Sequence, residues 1–455
     1  MTNTILRKTR LARLGIPICT LAFCLLSIGT LPADIMMSPQ AGKIVAGTTL
    51  FADANEKLRP AKEALQAGNM QLFVSSYEAA AKDIPELPAI EIFIAKHQIE
   101  GGRIGDAING LDRFLAKNPD NPEGYFALGE IALRSNRLTE AAMLLDRAQQ
   151  LCDDGKLPEN RNTNVLVGLI AVRAEVAERR QLWDDADSLY KRVIEASADS
   201  SEFTWRRGRM LVLKSEVEQG VFVMSQALTK NSKLPSPELT AALILAEKRE
   251  AAAAEKWFHA AIKSERADWH RWSEYLKWLL SNERPADARK AIDRLEPELR
   301  KERAIMLLDG VTARCLDDLE TAETVFSSLH QSNPSDLEAA DQLANVLVES
   351  KDEAKRSRAL QLSEGNLRQA PNVENAVATA AWVHFKLGSV DVADRMLAEL
   401  ASKIAISPQT AYYISEVMKS KGNVTDSRKI LQAAVNNPGI FAQRIKAVAS
   451  LILEP

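Results

Sequence analysis

The sequence predicts an all-α fold, a solenoid of stacked helical pairs, and three observations support this prediction. Small and large apolar residues recur with a period of 34 along most of the 455-residue chain. Gly (20) and Pro (18) are few, whereas β-sandwiches and β-barrels need many tight turns. Hydrophobic residues make up 46% of the chain and aromatic residues only 5%, so we expect a core built mainly from Ala and Leu. The same hydrophobic content excludes general disorder.

A membrane-targeting segment is predicted at the N-terminus, over residues 1–33. Its first 13 positions carry basic residues and no acidic ones, and an uncharged stretch follows to residue 33. The basic residues are Arg7, Lys8, Arg10 and Arg13. This pattern is typical of an exported protein. A cleaved signal peptide and a retained membrane anchor are both open, since about 20 uncharged residues are just enough to span a bilayer. The basic residues would hold an anchored N-terminus in the cytoplasm.

The rest of the chain is acidic once this leader is removed. Its four basic residues reduce Lys+Arg from 58 to 54, against 61 Asp+Glu, so the formal charge becomes −7 instead of −3. An acidic body has no general attraction for phosphate backbones, and no nucleic-acid partner is predicted. Cys152 and Cys315 are the two cysteines beyond the leader. A disulfide-stapled exported domain would use more cysteines, so both are predicted to be buried apolar residues and not a bridge.

The 34-residue period is defined by two positions four residues apart. From residue 107 onward the first position holds a small residue in each repeat: Ala107, Ala141, Ala186, Gly220, Ala254, Ala288, Ala322, Ala359, Ala393 and Ser427. The second is mostly large: Leu111, Leu145, Tyr190, Met224, Phe258, Ile292, Phe326, Ser363, Leu397 and Leu431. All steps are 34 except one of 45 after Ala141 and one of 37 after Ala322. The longer steps are assigned to a loop over residues 152–160 and to an insertion near residues 351–355.

This pattern resembles the tetratricopeptide repeat, which has small residues at positions 8 and 20 of a 34-residue unit and a large residue at position 24. The resemblance covers residues 54–440, about eleven units. It implies an all-α, right-handed superhelical solenoid of stacked helix-turn-helix repeats with a concave groove. Residues 34–53 are then a linker, and residues 441–455 are predicted to form a C-terminal capping helix, with apolar residues at 441, 445, 448 and 452.

The repeat explains how such units hold together. Small residues at positions 8 and 20 let the two helices of a unit approach closely, and the large residue at position 24 fills the space beside the crossing. One unit cannot bury its apolar face alone, so neighbours must stack. Three residues depart from the pattern: Phe73 is large at a small position, and Ser363 and Asn366 are polar at core positions.

The sequence offers little that would support catalysis. Gly-rich phosphate loops, His-Glu-x-x-His, Cys-x-x-Cys and Gly-x-Ser-x-Gly motifs are all missing. The five histidines are spread over five units, so packing or surface roles are predicted for them. No catalytic residue, metal site or cofactor is expected, and an enzyme is not predicted.

A partner-binding groove is implied by the resemblance. In the family, positions 2, 5, 9, 12 and 13 of each first helix face the concave surface. These positions hold Phe126, Glu130, Arg134, Trp205, Arg209, His270, Lys277, Asp341, Asn345, Trp382, Phe385, Lys386, Tyr412 and Glu416. From them we predict the partner-binding residues Phe126, Trp205, Arg209, Lys277, Trp382, Phe385 and Tyr412, because rigid aromatic rings lose little entropy on contact. The alternative, that some of them pack against the next unit, is open. The Lys/Asn clamp that chaperone-binding members use for a C-terminal carboxylate is not reproduced.

The function predicted from these features is a non-enzymatic scaffold of the cell envelope that binds one or more proteins or peptides in its groove. A first alternative is an accessory recruiting subunit of an envelope polysaccharide or secretion machinery, which shares every sequence feature with the scaffold. A remote alternative is an RNA-binding array of helical pairs, but such arrays are basic and have a step of 35. The membrane is expected to be contacted only through the N-terminal segment.

Overall fold

The computed structural model describes residues 54–84, 87–197, 200–263, 268–401 and 407–435. The predicted leader, linker and capping helix lie outside these residues, and the domain boundaries stay predictions. Every regular element within the described ranges is a helix, so the predicted all-α class is confirmed. No helix of this part of the chain is both long and apolar enough to cross a membrane. The chain divides into two compact halves between Tyr275 and Leu276.

The N-terminal half, as described, consists of twelve helices and the start of a thirteenth. They are α1 (Ala54–Gln66), α2 (Met70–Asp83), α3 (Ile90–Glu100), α4 (Ile104–Lys117), α5 (Pro122–Arg134), α6 (Leu138–Asp153), α7 (Glu159–Arg179), α8 (Trp183–Ala196), α9 (Ser201–Leu213), α10 (Val217–Lys230), α11 (Pro237–Glu247), α12 (Ala251–Lys263) and α13 (Trp269–Ser281). Consecutive helices pack as pairs, beginning with α1 and α2. The first helices of neighbouring pairs also contact one another, as α3 does with α5 and α5 with α7.

The C-terminal half begins with the last turns of α13 and repeats this arrangement. Its further helices are α14 (Pro285–Asp293), α15 (Pro297–Arg300), α16 (Arg303–Cys315), α17 (Leu319–Ser332), α18 (Leu337–Leu347), α19 (Glu353–Gln369), α20 (Glu374–Lys386), α21 (Val390–Ala401), α22 (Pro408–Ser420) and α23 (Val424–Val435). The pairs are α16/α17, α18/α19, α20/α21 and α22/α23. Helices α16, α18, α20 and α22 contact one another in sequence, so they form one continuous row.

A common turn joins the two helices of a pair. It places one residue at positive φ, and these residues are Gly68, Gly102, Asn136, Gln181, Ser215, Arg249, Glu283, Asp317, Gly388 and Gly422. The next residue donates its backbone N–H to the carbonyl five positions earlier, as Arg137 does to Ala132 at 2.8 Å. This Schellman-type ending reverses the chain within a few residues, so the paired helices run antiparallel. The turn between α18 and α19, where the period gains three residues, has no positive-φ residue.

The two positions of the period meet at the crossing of each pair. In α6, Ala141 and Leu145 are fully buried, and the equivalent residues of the other pairs are buried too. Among the residues that depart from the pattern, Phe73 is fully buried in the same core as Leu58 and Ala61. The polar Asn366 is also buried, and its amide donates hydrogen bonds to the Leu337 carbonyl and the Asp341 Oδ1, at 2.7 and 2.8 Å.

The expected loop over residues 152–160 is shorter than predicted. Cys152 and Asp153 complete α6, and α7 begins at Glu159, so only residues 154–158 connect the two helices. The extra residues of this repeat instead lengthen the helices, since α7 alone has 21 residues. Cys152 is a buried thiol, and burial raises its pKa to about 12. Cys315 is a half-buried thiol at the end of α16.

Candidate functional site

A cavity of about 340 Å³ opens on the row of first helices in the C-terminal half. Helices α16, α18, α20 and α22 all contribute to it, together with the turn that leads from α16 into α17. We call it the aromatic cavity. Its lining consists of Arg314, Asp317, Leu319, Asn345, Glu349, Trp382, Phe385, Lys386, Tyr412, Tyr413 and Glu416.

Four aromatic side chains form one wall of the aromatic cavity. Trp382 of α20 stacks on Tyr413 of α22, with ring centroids 4.5 Å apart and an interplanar angle of 11°. The rings of Phe385 and Tyr412 lie 5.4 and 5.6 Å from the Trp382 ring. Trp382 and Tyr413 are buried, whereas Phe385 and Tyr412 are half-buried. The wall therefore combines two buried rings with two half-buried ones.

The start of α22 determines where the two tyrosines lie. Ser407 caps the helix, and its hydroxyl accepts a hydrogen bond from the Thr410 backbone N–H at 2.9 Å. Pro408 takes the first helical position, where its fixed φ is suited to helix formation and its missing N–H is not needed. Because the helix begins at a defined residue, Tyr412 and Tyr413 follow one turn later, beside Trp382.

Hydrogen bonds position Tyr413 and Asn345, the two uncharged polar residues that form the floor of the aromatic cavity. The Tyr413 hydroxyl donates to the Asn345 Oδ1 at 2.8 Å and accepts from the Gln409 Nε2 at 2.7 Å. The Asn345 amide in turn donates to the Asp341 carbonyl at 3.0 Å and to the Thr379 hydroxyl at 3.3 Å. Burial raises the pKa of Tyr413 to about 12, so the phenol is neutral at physiological pH. Tyr413, Asn345 and Thr379 thus form one hydrogen-bonded network, which the charged side chain of Arg314 also contacts at Tyr413.

Charged side chains also line the aromatic cavity. Lys386 pairs with Glu349 at 2.7 Å, and its Nζ lies 5.5 Å from the centroid of the Trp382 ring. Arg314 is buried and donates to the Gln342 side chain. The Oε1 of Glu416 is buried and accepts no hydrogen bond from the described residues; the nearest cationic atom paired with it is the Lys419 Nζ at 3.9 Å. Three carboxylates and two cationic groups therefore line the cavity.

The structure brings together three of the predicted binding residues. Trp382, Phe385 and Tyr412 line the aromatic cavity as neighbours. Lys277 is half-buried on α13 and is not part of the lining. The other three predicted residues, Phe126, Trp205 and Arg209, belong to the N-terminal half.

In that half, these three side chains are engaged in packing. Phe126 and Trp205 are each about 5% exposed, and the Trp205 indole N–H donates to the Pro235 carbonyl at 3.2 Å. Arg209 pairs with the buried carboxylate of Glu178, which also accepts a hydrogen bond from the Tyr190 hydroxyl at 2.8 Å. Phe126, Trp205 and Arg209 therefore contact other residues of the N-terminal half.

Several lining residues escaped the sequence-based prediction. Arg314 and Glu349 lie four and five residues after the small residues Gly310 and Ala344, so they occupy positions 12 and 13 of their repeats. Applying the groove positions to every repeat would have found both. Tyr413 is at position 6, which no groove rule includes, and only the stacking on Trp382 reveals it.

A family comparison matches part of the N-terminal half. Residues 94–156 match the family model described as tetratricopeptide repeat. This segment contains the end of α3 and all of α4, α5 and α6. No curated protein sequence matches the chain.

The solved structures that resemble this chain include two described as TPR or tetratricopeptide repeat proteins, and a third, yeast Tom70. TTC0263, a thermophilic TPR protein of Thermus thermophilus, is 16% identical, with 41% of this chain and 98% of that one covered and a TM-score of 0.35. A tetratricopeptide repeat protein from Parabacteroides merdae is 11% identical, with 63% and 99% covered and a TM-score of 0.35. Yeast Tom70 is 11% identical, with 86% and 94% covered and a TM-score of 0.34. Since these TM-scores are below 0.5, the fold class rests on the helices themselves.

Proposed function

We propose that this chain, whose residues 94–156 are tetratricopeptide repeats, is a non-enzymatic interaction scaffold that binds a protein or peptide segment in the aromatic cavity. The observation that carries the proposal is the half-buried pair Phe385 and Tyr412, presented on a row of four helices beside the Trp382–Tyr413 stack. Rings held in this way lose little freedom on contact, which is the property of anchor residues at protein interfaces.

The size of the aromatic cavity also favours a peptide anchor. About 340 Å³ is at the lower end of the range for small-molecule sites and accommodates one or two side chains of a partner. Two polar groups of the lining, Tyr413 and Asn345, are already hydrogen-bonded to each other and so need no partner from a ligand. Among the described residues, no group of three His, Cys, Asp or Glu side chains could hold a metal ion.

The cell envelope is the proposed location of the scaffold. The support is the basic leader with its uncharged stretch, which lies in residues 1–33 of the sequence. An exported array joined to such a segment would work at the outer face of the membrane, either tethered or released. The partner is then a protein or peptide of the same compartment.

Site-specific crosslinking in native cells tests the binding proposal. We expect the photoreactive residue p-benzoylphenylalanine, placed at Phe385 of the full chain, to give a discrete adduct with a protein partner. The matched control is the same residue at Phe222, an aromatic side chain of α10 that is 61% exposed and lies in the other half. Equal adducts from both positions, or none from position 385, would contradict the proposal.

A further inference from the structure

The chemistry of the aromatic cavity points to one class of anchor. We propose that the aromatic cavity accepts a cationic side chain, arginine or lysine, of the partner segment; this proposal rests on the proposed function. Two parts of the lining would recognise this cationic side chain: the aromatic wall and the carboxylates.

Glu416 supplies the first argument. It lines the cavity, and its Oε1 is shielded from water without accepting a hydrogen bond from the described residues. The Lys419 Nζ at 3.9 Å is too distant for a hydrogen bond. A carboxylate oxygen that is desolvated and lacks a donor costs free energy, and a cation entering the cavity would reduce that cost.

The aromatic wall supplies the second argument. A cation near the face of an aromatic ring is attracted by the ring quadrupole. Phe385 and Tyr412 are the half-buried rings of this wall, whereas Trp382 is buried and stacked on Tyr413. Trp382 already has such a contact, because the Lys386 Nζ lies 5.5 Å from its ring centroid. The environment of Trp382 therefore tolerates a positive charge.

Of the two positive charges in the lining that would oppose a cation, one is paired with a carboxylate and the other is hydrogen-bonded to a neutral amide. The Lys386 ammonium is paired with Glu349 at 2.7 Å, and the buried Arg314 guanidinium binds the Gln342 side chain. Asp317 and Glu416 add negative charge, so the lining carries three carboxylates against two cations. A carboxylate ligand would have to approach this excess of negative charge, which disfavours an anionic anchor.

Short capped peptides provide the direct test. The probes are acetyl-Gly-X-Gly-amide with arginine, lysine, citrulline, leucine or glutamate at X, at constant ionic strength. The full chain is labelled with 5-fluorotryptophan, and the Trp382 signal is assigned with the W382F variant. We expect saturable shifts of this signal with the arginine and lysine peptides, and about tenfold weaker binding of citrulline, the neutral counterpart of arginine.

Two substitutions test whether the cavity recognises a positive charge. Glu416→Gln keeps the shape of the side chain, and we expect it to weaken binding of the arginine peptide about tenfold. Lys386→Met removes a competing cation, and we expect it to strengthen that binding about threefold. The matched control is Lys429→Met, which changes the charge equally at an exposed lysine of α23 outside the lining. It should leave the affinity unchanged.

The outcomes separate this inference from the proposed function. Shifts caused by the leucine or glutamate peptide but not by the cationic ones, or weaker binding to Lys386→Met, would overturn the cationic anchor and leave a peptide-binding cavity. A Trp382 signal that no peptide moves would count against both.

Discussion

At the scale of single residues, Asp341 shows how burial controls charge beside the aromatic cavity. Its side chain is buried in α18, and its Oδ1 accepts a hydrogen bond from the Asn366 amide at 2.8 Å. Burial raises the pKa of Asp341 to about 6; the charge of Glu338 adds to this, and the hydrogen bond from Asn366 opposes it. The carboxyl is therefore harder to ionise in the folded chain than in the unfolded one.

This raised pKa predicts a pH dependence of stability. An unfolded aspartate titrates near 4, so between about pH 4 and 6 the folded state binds more protons than the unfolded state. The contribution of Asp341 to the free energy of unfolding should consequently fall as the pH rises through this window. We expect Asp341→Asn to remove this slope and to raise the free energy of unfolding at pH 7 by about 2 kcal/mol. Urea unfolding from pH 4 to pH 7 measures both effects.

The control for Asp341 is an exposed aspartate of the same half. Asp391→Asn alters a side chain that is 93% exposed, and it should leave the pH profile of unfolding nearly unchanged. A profile for Asp341→Asn that parallels that of the parent chain would show that Asp341 does not titrate in this window.

At the scale of elements, glycines determine how closely helices α9 and α10 approach each other. A Cβ atom added to Gly220 would lie 2.5 Å from the Gly208 carbonyl oxygen and 2.9 Å from the Val212 backbone nitrogen. Both are backbone atoms, which cannot turn away as a flexible side chain can. The pair could accept the extra atom only by moving its helices apart.

Gly220→Ala is therefore expected to lower the free energy of unfolding by about 3 kcal/mol, despite the better helix propensity of alanine. The matched control is Gly110→Ala in α4, where an added Cβ has no atom within 4 Å. That change should be neutral or raise the free energy by up to about 1 kcal/mol. Chemical denaturation of both variants measures the difference. Equal effects of the two substitutions would show that the crossing is not closely packed.

At the scale of the whole molecule, the proposed location depends on the leader, which we expect to direct the repeats across the cytoplasmic membrane. A reporter that is active only after export, such as alkaline phosphatase, fused after residue 53, should be active in a bacterial host. Replacing the four basic residues and the apolar stretch by a neutral linker should abolish that activity. Mass spectrometry of the mature chain decides between a cleaved signal and a retained anchor. Reporter activity that survives removal of residues 1–33 would contradict the prediction of export.

The repeat and its helices could be predicted from the sequence because each 34-residue unit makes mostly local contacts. Ala141 and Leu145 identify a helix crossing without knowledge of any other unit, and the structure buries both. The binding site was predicted only in part, because a first-helix position faces solvent or a neighbour depending on the next pair. Trp205 and Trp382 belong to the same set of predicted groove positions, yet only Trp382 lines the aromatic cavity.

The sequence by itself determined the all-α class, the period and the residues at each crossing, since the spacing of small and large residues specifies how a pair packs. Tertiary structure alone decided which side chains come together between pairs. The stack of Trp382 on Tyr413 and the hydrogen bond from Tyr413 to Asn345 join residues up to 68 positions apart. These contacts depend on the stacking of successive helices, a property that no single 34-residue unit contains.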